Sequence, residues 1–277
     1  MPLWTLFGLQ QGKATTDWPR KGGDDGQENV LGMPRYEKQL CDEGCEACSE
    51  VCPTHAIHLV GELGSGSDKP VERVEIDYGR CIACQLCVEA CPPGALQTSA
   101  DWAFGVRERD DLLTDSEISG AGTCERDQKN PPSVKDFKRS LHIRHVDAGS
   151  CNGCESELQA LNNPFYNLHR LGIFFTPSPR FADVLLVTGP VTYAMREPLL
   201  RTYAAMPDPK WVIAVGTCAV SGGIAEGGYA CGHGLDGLLP VDVWLPGCPP
   251  NPAAIIEALL LLLDRTPQRV HEGRHGK

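Results

Sequence analysis

From residue 141 onward the apolar positions fall into short blocks bounded by turn residues: Leu141–Val146, Leu171–Phe175, Asp183–Thr188, Trp211–Val215 and Val243–Leu245. Blocks this short, rich in Val, Ile and Leu, predict strands buried on both faces. Stretches with helical spacing accompany them, at about Glu155–Leu161, Glu197–Ala205 and Pro252–Asp264. Strands alternating with helices predict an α/β domain on a parallel, doubly wound sheet. The longest apolar stretch, Ala253–Leu263, is 11 residues with Glu257 inside it, short of the ~20 that cross a bilayer.

The first half follows a different pattern. Two Cys-rich runs each end in Cys-Pro and are each followed by a short apolar segment, Ala56–Val60 and Ala95–Gln97. A Gly/Ser turn at Gly61–Ser67 and a strand-like Val71–Ile76 lie between them, so the region reads as an internal repeat. Residues 1–32, with Gly22-Gly23-Asp24-Asp25-Gly26, predict an extended arm, and the charged residues 101–139, with Asn130-Pro131-Pro132, predict a linker holding the domain boundary. The expected organisation is an arm (1–32), a small α+β domain (33–100), a linker (101–139) and the α/β domain (140–270).

Composition narrows the chemistry. The 277 residues carry 25 Lys and Arg against 36 Asp and Glu, a formal charge of −11, which repels a phosphate backbone and argues against nucleic acid. Residues 1–140 hold 15 basic and 24 acidic side chains, net −9, which sets them apart from the nearly balanced remainder. The opening MPLWTLFGLQQ lacks the pattern of a secretory signal, so the expected compartment is the cytoplasm. Fourteen Cys residues fit a disulfide scaffold only in an oxidising compartment, which leaves metal or cluster ligation as the leading account.

The second run, Cys81-Ile-Ala-Cys84-Gln-Leu-Cys87-Val-Glu-Ala-Cys91-Pro92, has the C-x2-C-x2-C-x3-C-P pattern of bacterial ferredoxins. The first, Cys41-Asp-Glu-Gly-Cys45-Glu-Ala-Cys48-Ser-Glu-Val-Cys52-Pro53, has one extra residue between its first two cysteines, which Gly44 can absorb. In two-cluster ferredoxins the fourth Cys of each run serves the other cluster. The expected sets are therefore Cys41, Cys45, Cys48 and Cys91 for one cluster, and Cys81, Cys84, Cys87 and Cys52 for the other. Paired zinc sites are the alternative, but zinc sets join two C-x2-C knuckles or add His and do not need C-x3-C-P twice.

In the α/β domain Asp147-Ala-Gly-Ser-Cys151-Asn-Gly-Cys154-Glu-Ser-Glu157 follows a strand and opens a helix. Gly216-Thr-Cys218 and Pro246-Gly-Cys248-Pro-Pro follow two further strands, so three strand ends bring four cysteines to one edge of the sheet, where open α/β folds keep their sites.

Together these segments resemble, over roughly residues 140–265, the small-subunit family shared by [NiFe] hydrogenases and the 20 kDa, B-type subunit of complex I. The resemblance implies a flavodoxin-like domain that holds one [4Fe-4S] cluster through Cys151, Cys154, Cys218 and Cys248 beside a catalytic large subunit. The Cys151-Asn-Gly-Cys154 spacing is similar to the hydrogenase branch, especially energy-converting and formate hydrogenlyase types; the complex I branch has adjacent cysteines there. Residues 33–100 resemble an eight-iron ferredoxin subunit, so the chain looks like a fusion of two relay subunits with three [4Fe-4S] clusters in all. The implied role is electron transfer to or from a hydrogenase-like large subunit, with a redox donor protein as a further partner and contact with a membrane only through partner subunits. A relay in a complex I-like quinone oxidoreductase and a non-catalytic zinc or cluster-carrier module are the alternatives. No catalytic acid, base or nucleophile set stands out, so turnover is not expected of the chain alone.

Cys124 and Cys231 are left outside the three sets. Glu155 and Glu157 are open to a proton-moving or a purely structural reading. His142 and His145, like His55 and His58, stand three apart in predicted strands and so face opposite ways. Gly232-His-Gly234-Leu-Asp-Gly237 matches a nucleotide-loop pattern but lacks the strand before it and the helix after it.

Overall fold

The computed structural model describes residues 3–11, 18–19, 29–42, 44–62, 71–114, 140–270 and 274–275. The expected extended arm instead holds a helix, α1 (Leu3–Gln11), in a stretch without proline that includes three Leu and two Gln, all good helix formers. Farther on, Trp18 is buried and meets Tyr166 edge to face, so the arm touches the core of the C-terminal sheet.

The Cys-rich half is α+β. β1 (Arg35–Tyr36) pairs antiparallel with β4 (Leu96–Gln97), and β2 (Ile57–Glu62) pairs antiparallel with β3 (Val71–Ile76), Ile57 opposite Ile76. The one-turn helices α2 (Ala47–Glu50) and α3 (Leu86–Glu89) carry Cys48 and Cys87. Each stops just before a Cys-Pro pair, because proline disfavours the helical conformation of the residue ahead of it. His55 sits in the turn before β2 with φ 50° rather than in a strand, so it and His58 are not a strand pair.

The C-terminal half runs β5 (Leu141–Asp147), α4 (Gly153–Ala160), β6 (Ile173–Phe175), β7 (Val184–Thr188), α5 (Tyr193–Ala205), β8 (Trp211–Val215), α6 (Thr217–Ser221), β9 (Val243–Leu245) and α7 (Pro252–Leu262). All five strands pair in parallel, in the order β6-β5-β7-β8-β9. Counted from β5 this is the 2-1-3-4-5 order of flavodoxin-like sheets, as the resemblance implied. β7 and β8 are buried along their whole length. The apolar stretch near the C-terminus is the buried helix α7, capped by Asn251, whose side chain accepts from the Ala254 amide at 2.7 Å. Among the described residues no helix is long and apolar enough to cross a membrane.

The expected linker differs over its first part. Residues 101–114 pack tightly: Phe104, Val106 and Leu112 are buried, and Val106 pairs antiparallel with Trp244 of β9. Arg107 reaches the Leu261 carbonyl at 2.6 Å, and Gln268 reaches Asp111 at 2.8 Å. These apolar residues have no helical or strand period, but their burial comes from distant partners. One continuous apolar cluster includes Met33, Ile76, Tyr78 and Leu112 from one half and Val187, Ala214 and Trp244 from the other. Residues 115–139, with Cys124, lie outside the described residues.

Leu112 is fully buried in this shared cluster, so Leu112→Ala is expected to lower the unfolding free energy by about 2–5 kcal/mol. Urea titration measures it. A loss under about 0.5 kcal/mol, typical of exposed positions, would return residues 101–114 to a linker role.

Candidate iron-sulfur sites

Each Cys-rich run turns on a residue of positive φ just before its second cysteine. Gly44 has φ 73° and Ala83 has φ 54°. Both runs thus turn the same way before the second cysteine, and only the first does so at a glycine, where a positive φ costs no strain. The turn wraps three cysteines around one space, while the fourth, beyond the short helix, leads away.

Two cavities result. Cys41, Cys45, Cys48 and Cys91 line one, together with Tyr36, Val74 and Leu96; its empty volume is about 280 Å³, space open to solvent included. Cys52, Cys81, Cys84 and Cys87 line the other, with Thr54, Ile57 and Ile76, and its empty volume is about 370 Å³ on the same measure. The Ala56 amide donates to Cys52 Sγ at 3.2 Å and the Ala83 amide to Cys81 Sγ at 3.4 Å. Amides aimed at sulfur stabilise a thiolate and tune the potential of an iron–sulfur group it holds. Four thiols ringed around a largely apolar space fit a multi-iron group. Among the described residues no three or more His, Cys, Asp or Glu gather about a single-ion position.

The other four cysteines meet at the carboxyl end of the parallel sheet. After β5, Asp147 accepts from the Gly149 and Ser150 amides at 2.9 and 2.7 Å and so shapes the loop that delivers Cys151. These amides hold its carboxyl below the ordinary carboxylate value although burial pushes the other way. Asn152 takes the left-handed conformation and starts α4, which buries Cys154. Cys218 lies in α6 beyond β8, and Cys248 follows β9. Burial raises the Cys154 thiol most, then Glu155, then Cys218, Cys248 and Cys151, so the four sulfurs sense one another. Gly216 has φ 91°, and a Cβ there would stand 2.6 Å from Cys154 Sγ. Only glycine lets the end of β8 approach the sulfur this closely.

Comparison with known proteins agrees with this geometry. Residues 151–262 match the family described as NADH ubiquinone oxidoreductase, 20 Kd subunit, and residues 40–95 match the 4Fe-4S dicluster domain. An uncharacterised protein of Methanocaldococcus jannaschii is 50% identical over 123 residues, 44% of this chain and 82% of that one. The chain belongs to the NADH ubiquinone oxidoreductase 20 kDa subunit family. A probable membrane-bound hydrogenase subunit of Pyrococcus furiosus is 45% identical over 127 residues, 46% of this chain and 76% of the relative. Formate hydrogenlyase subunit 7 of Escherichia coli K12 is 47% identical over 144 residues, 52% of this chain and 56% of that protein, so the match spans little more than half the relative. A chain of the solved membrane-bound sulfane sulfur reductase complex aligns with a TM-score of 0.43 at 38% identity, over 49% of this chain and 75% of that one.

In this family member Cys231 is buried and near enough to Cys218 to help raise that thiol. Its Sγ donates to the Ala225 carbonyl at 2.8 Å. Glu155 is tied down: it accepts from the Thr188 hydroxyl and, at 2.7 Å, from Ser150 Oγ, and Thr188 also meets His145 Nε2 at 2.9 Å. Glu157 stands half-buried on α4, and burial raises its carboxyl. His142 stacks on Phe174, away from the cysteines. The Gly232–Gly237 loop packs behind α6, with the Leu235 amide donating to the Ala219 carbonyl at 2.9 Å. Sequence reasoning missed Thr217, buried beside Cys218 and bonded across the two halves. It also missed the ion pair between Arg80 and Glu226.

Burial, followed by neighbouring cysteines, pushes Cys81 up to about 12 and both Cys87 and Cys218 up to about 11, from an ordinary 9.0. Without bound metal, the folded chain then keeps protons that the unfolded chain releases above pH ~9, so its stability falls as pH rises. Thermal melts of the metal-free chain are expected to be insensitive to these thiols below pH ~9 and to shift downward from there towards pH ~12. A midpoint rising across that window would contradict the assignment.

Proposed function

We propose that the chain is an electron-transfer subunit with three [4Fe-4S] clusters, working beside the large subunit of a [NiFe]-hydrogenase-like complex of the formate hydrogenlyase or energy-converting kind. The observation that carries this reading is the grouping of twelve cysteines into three sets of four: two ring cavities in the Cys-rich half, and one closes three strand ends of the sheet. The names of two relatives, a formate hydrogenlyase subunit and a probable membrane-bound hydrogenase subunit, support it.

Cys41, Cys45, Cys48 and Cys91 would hold the first cluster, Cys52, Cys81, Cys84 and Cys87 the second, and Cys151, Cys154, Cys218 and Cys248 the third. When bound, such clusters supply one-electron redox chemistry. The protein's residues provide the rest: Ile57, Ile76 and Leu96 exclude water, and the Ala56 and Ala83 amides point at sulfur. The Asp147 turn and Gly216 set the approach of the third four. Cys151 and Cys248 are exposed, which suits a face covered by the large subunit, and the acidic Cys-rich half suits a redox donor protein. The chain works in the cytoplasm and meets a membrane only through its partners. The family name also covers quinone-reducing assemblies, but the Cys151-Asn-Gly-Cys154 spacing favours the hydrogenase side.

Anaerobic loading of the full chain is expected to give about twelve iron and twelve sulfide per chain. Cys218→Ala or Cys248→Ala should lower both to about eight while the ferredoxin-type signals remain, and Cys231→Ala should leave about twelve. A native chain that holds about eight and is unmoved by Cys218→Ala would exclude the third cluster.

A further inference from the structure

The seam between the two halves carries polar contacts that the function above leaves unused. Thr217 opens α6, directly before Cys218, and is 1% exposed. Its hydroxyl donates across the seam to the Cys81 carbonyl at 2.9 Å and accepts from the Gly247 amide at 3.0 Å. Its own amide donates to the Gly247 carbonyl at 2.9 Å. Gly247 precedes Cys248, so one hydroxyl joins the loops of Cys81, Cys218 and Cys248.

A second tie runs beside it. Arg80, the neighbour of Cys81, presents both guanidinium prongs to Glu226, with Nη2 2.6 Å from Oε1. Glu226 also meets His233 Nδ1 at 2.8 Å, which anchors it in the loop beyond Cys218. The ion pair is partly exposed and screened, and such pairs contribute little. The Thr217 side chain is buried, its bond from Gly247 fully and its bond to Cys81 partly, and losing the hydroxyl would strand the Gly247 amide away from water. Of the two polar ties, the hydroxyl is the more buried, and within the shared apolar cluster it sets the local register of the cysteine loops. Only a side chain that both donates and accepts can make this bridge; serine keeps that capacity and valine, of the same shape as threonine, does not.

We propose that Thr217 is a positioning residue whose hydroxyl sets the register between the second and third thiol sets through a direct hydrogen bond that joins their loops. This rests on the three-cluster reading. Residues that sit one position before a ligand and bond to the loop of another site govern orientation without touching the bound group, as outer partners of metal ligands do.

The test uses the full chain, loaded and reduced anaerobically, with electron paramagnetic resonance and amide exchange as readouts. The native chain and Thr217→Ser are expected to show magnetic interaction between the second and third clusters and a protected Gly247 amide. Thr217→Val is expected to lose the Gly247 protection and to alter the magnetic interaction while keeping the native iron content. Thr217→Ala, read the same way, serves where the valine variant does not accumulate. Retention of both the interaction and the Gly247 protection in Thr217→Val would overturn the proposal. Loss of iron from the third set alone, restored by serine, would assign the hydroxyl to the Cys248 loop and overturn the bridge. A native chain with all three clusters but no interaction overturns the proposal and leaves the three-cluster reading intact. A native chain with only two clusters overturns the three-cluster reading and, with it, the proposal that rests on it.

Discussion

A thiol shielded from water and set among other thiols keeps its proton, and a bound positive centre, helped by amides aimed at the sulfur, makes the anionic form favourable there. Cys81, Cys87, Cys154 and Cys218 are all in that position, raised first by burial and then by neighbouring acidic groups, mainly other cysteines. The rest of the chain keeps these sulfurs together. The one-turn helices α2 and α3, the left-handed Gly44 and Ala83, the amides on Cys52 and Cys81, and the close approach of Gly216 to Cys154 all serve that end.

The same constraint explains why the two halves are not beads on a string. Their apolar residues form one cluster, residues 101–114 are pinned to β9 and to the end of α7, and a Thr217 hydroxyl bond crosses between the cysteine loops. A relay needs fixed spacing between its stations, and a core shared by both halves resists the relative motion expected of domains joined only by a small polar interface.

Much of this was legible in the sequence, for local reasons. Short apolar blocks marked β7, β8 and β9 because strands buried on both faces leave no polar alternation to obscure them, while β5 alternates, with His142 and Arg144 half-buried between buried apolar positions. The duplicated C-x3-C-P predicts that Cys52 and Cys91 change places between the runs, and Cys91 lines the cavity of Cys41, Cys45 and Cys48 while Cys52 lines the other. Local reading failed where distant partners decide. α5 begins at Tyr193 rather than near Glu197, because Pro198 reads as a start signal yet lies inside the helix. Phe104, Val106 and Leu112 have no period, and their burial depends on residues more than a hundred positions away as well as on the Cys-rich half. Thr217 looked like any residue before a cysteine, since its partner Cys81 is 136 positions away.

The central claim is that three groups of four thiols each enclose iron in a single chain. Diffraction from anaerobically loaded crystals of the full chain, recorded on both sides of the iron absorption edge, tests it most directly. Three iron sites are predicted: one within Cys41, Cys45, Cys48 and Cys91, one within Cys52, Cys81, Cys84 and Cys87, and one within Cys151, Cys154, Cys218 and Cys248. Iron confined to the two cavities of the Cys-rich half, or a signal at the zinc edge in its place, would contradict the account.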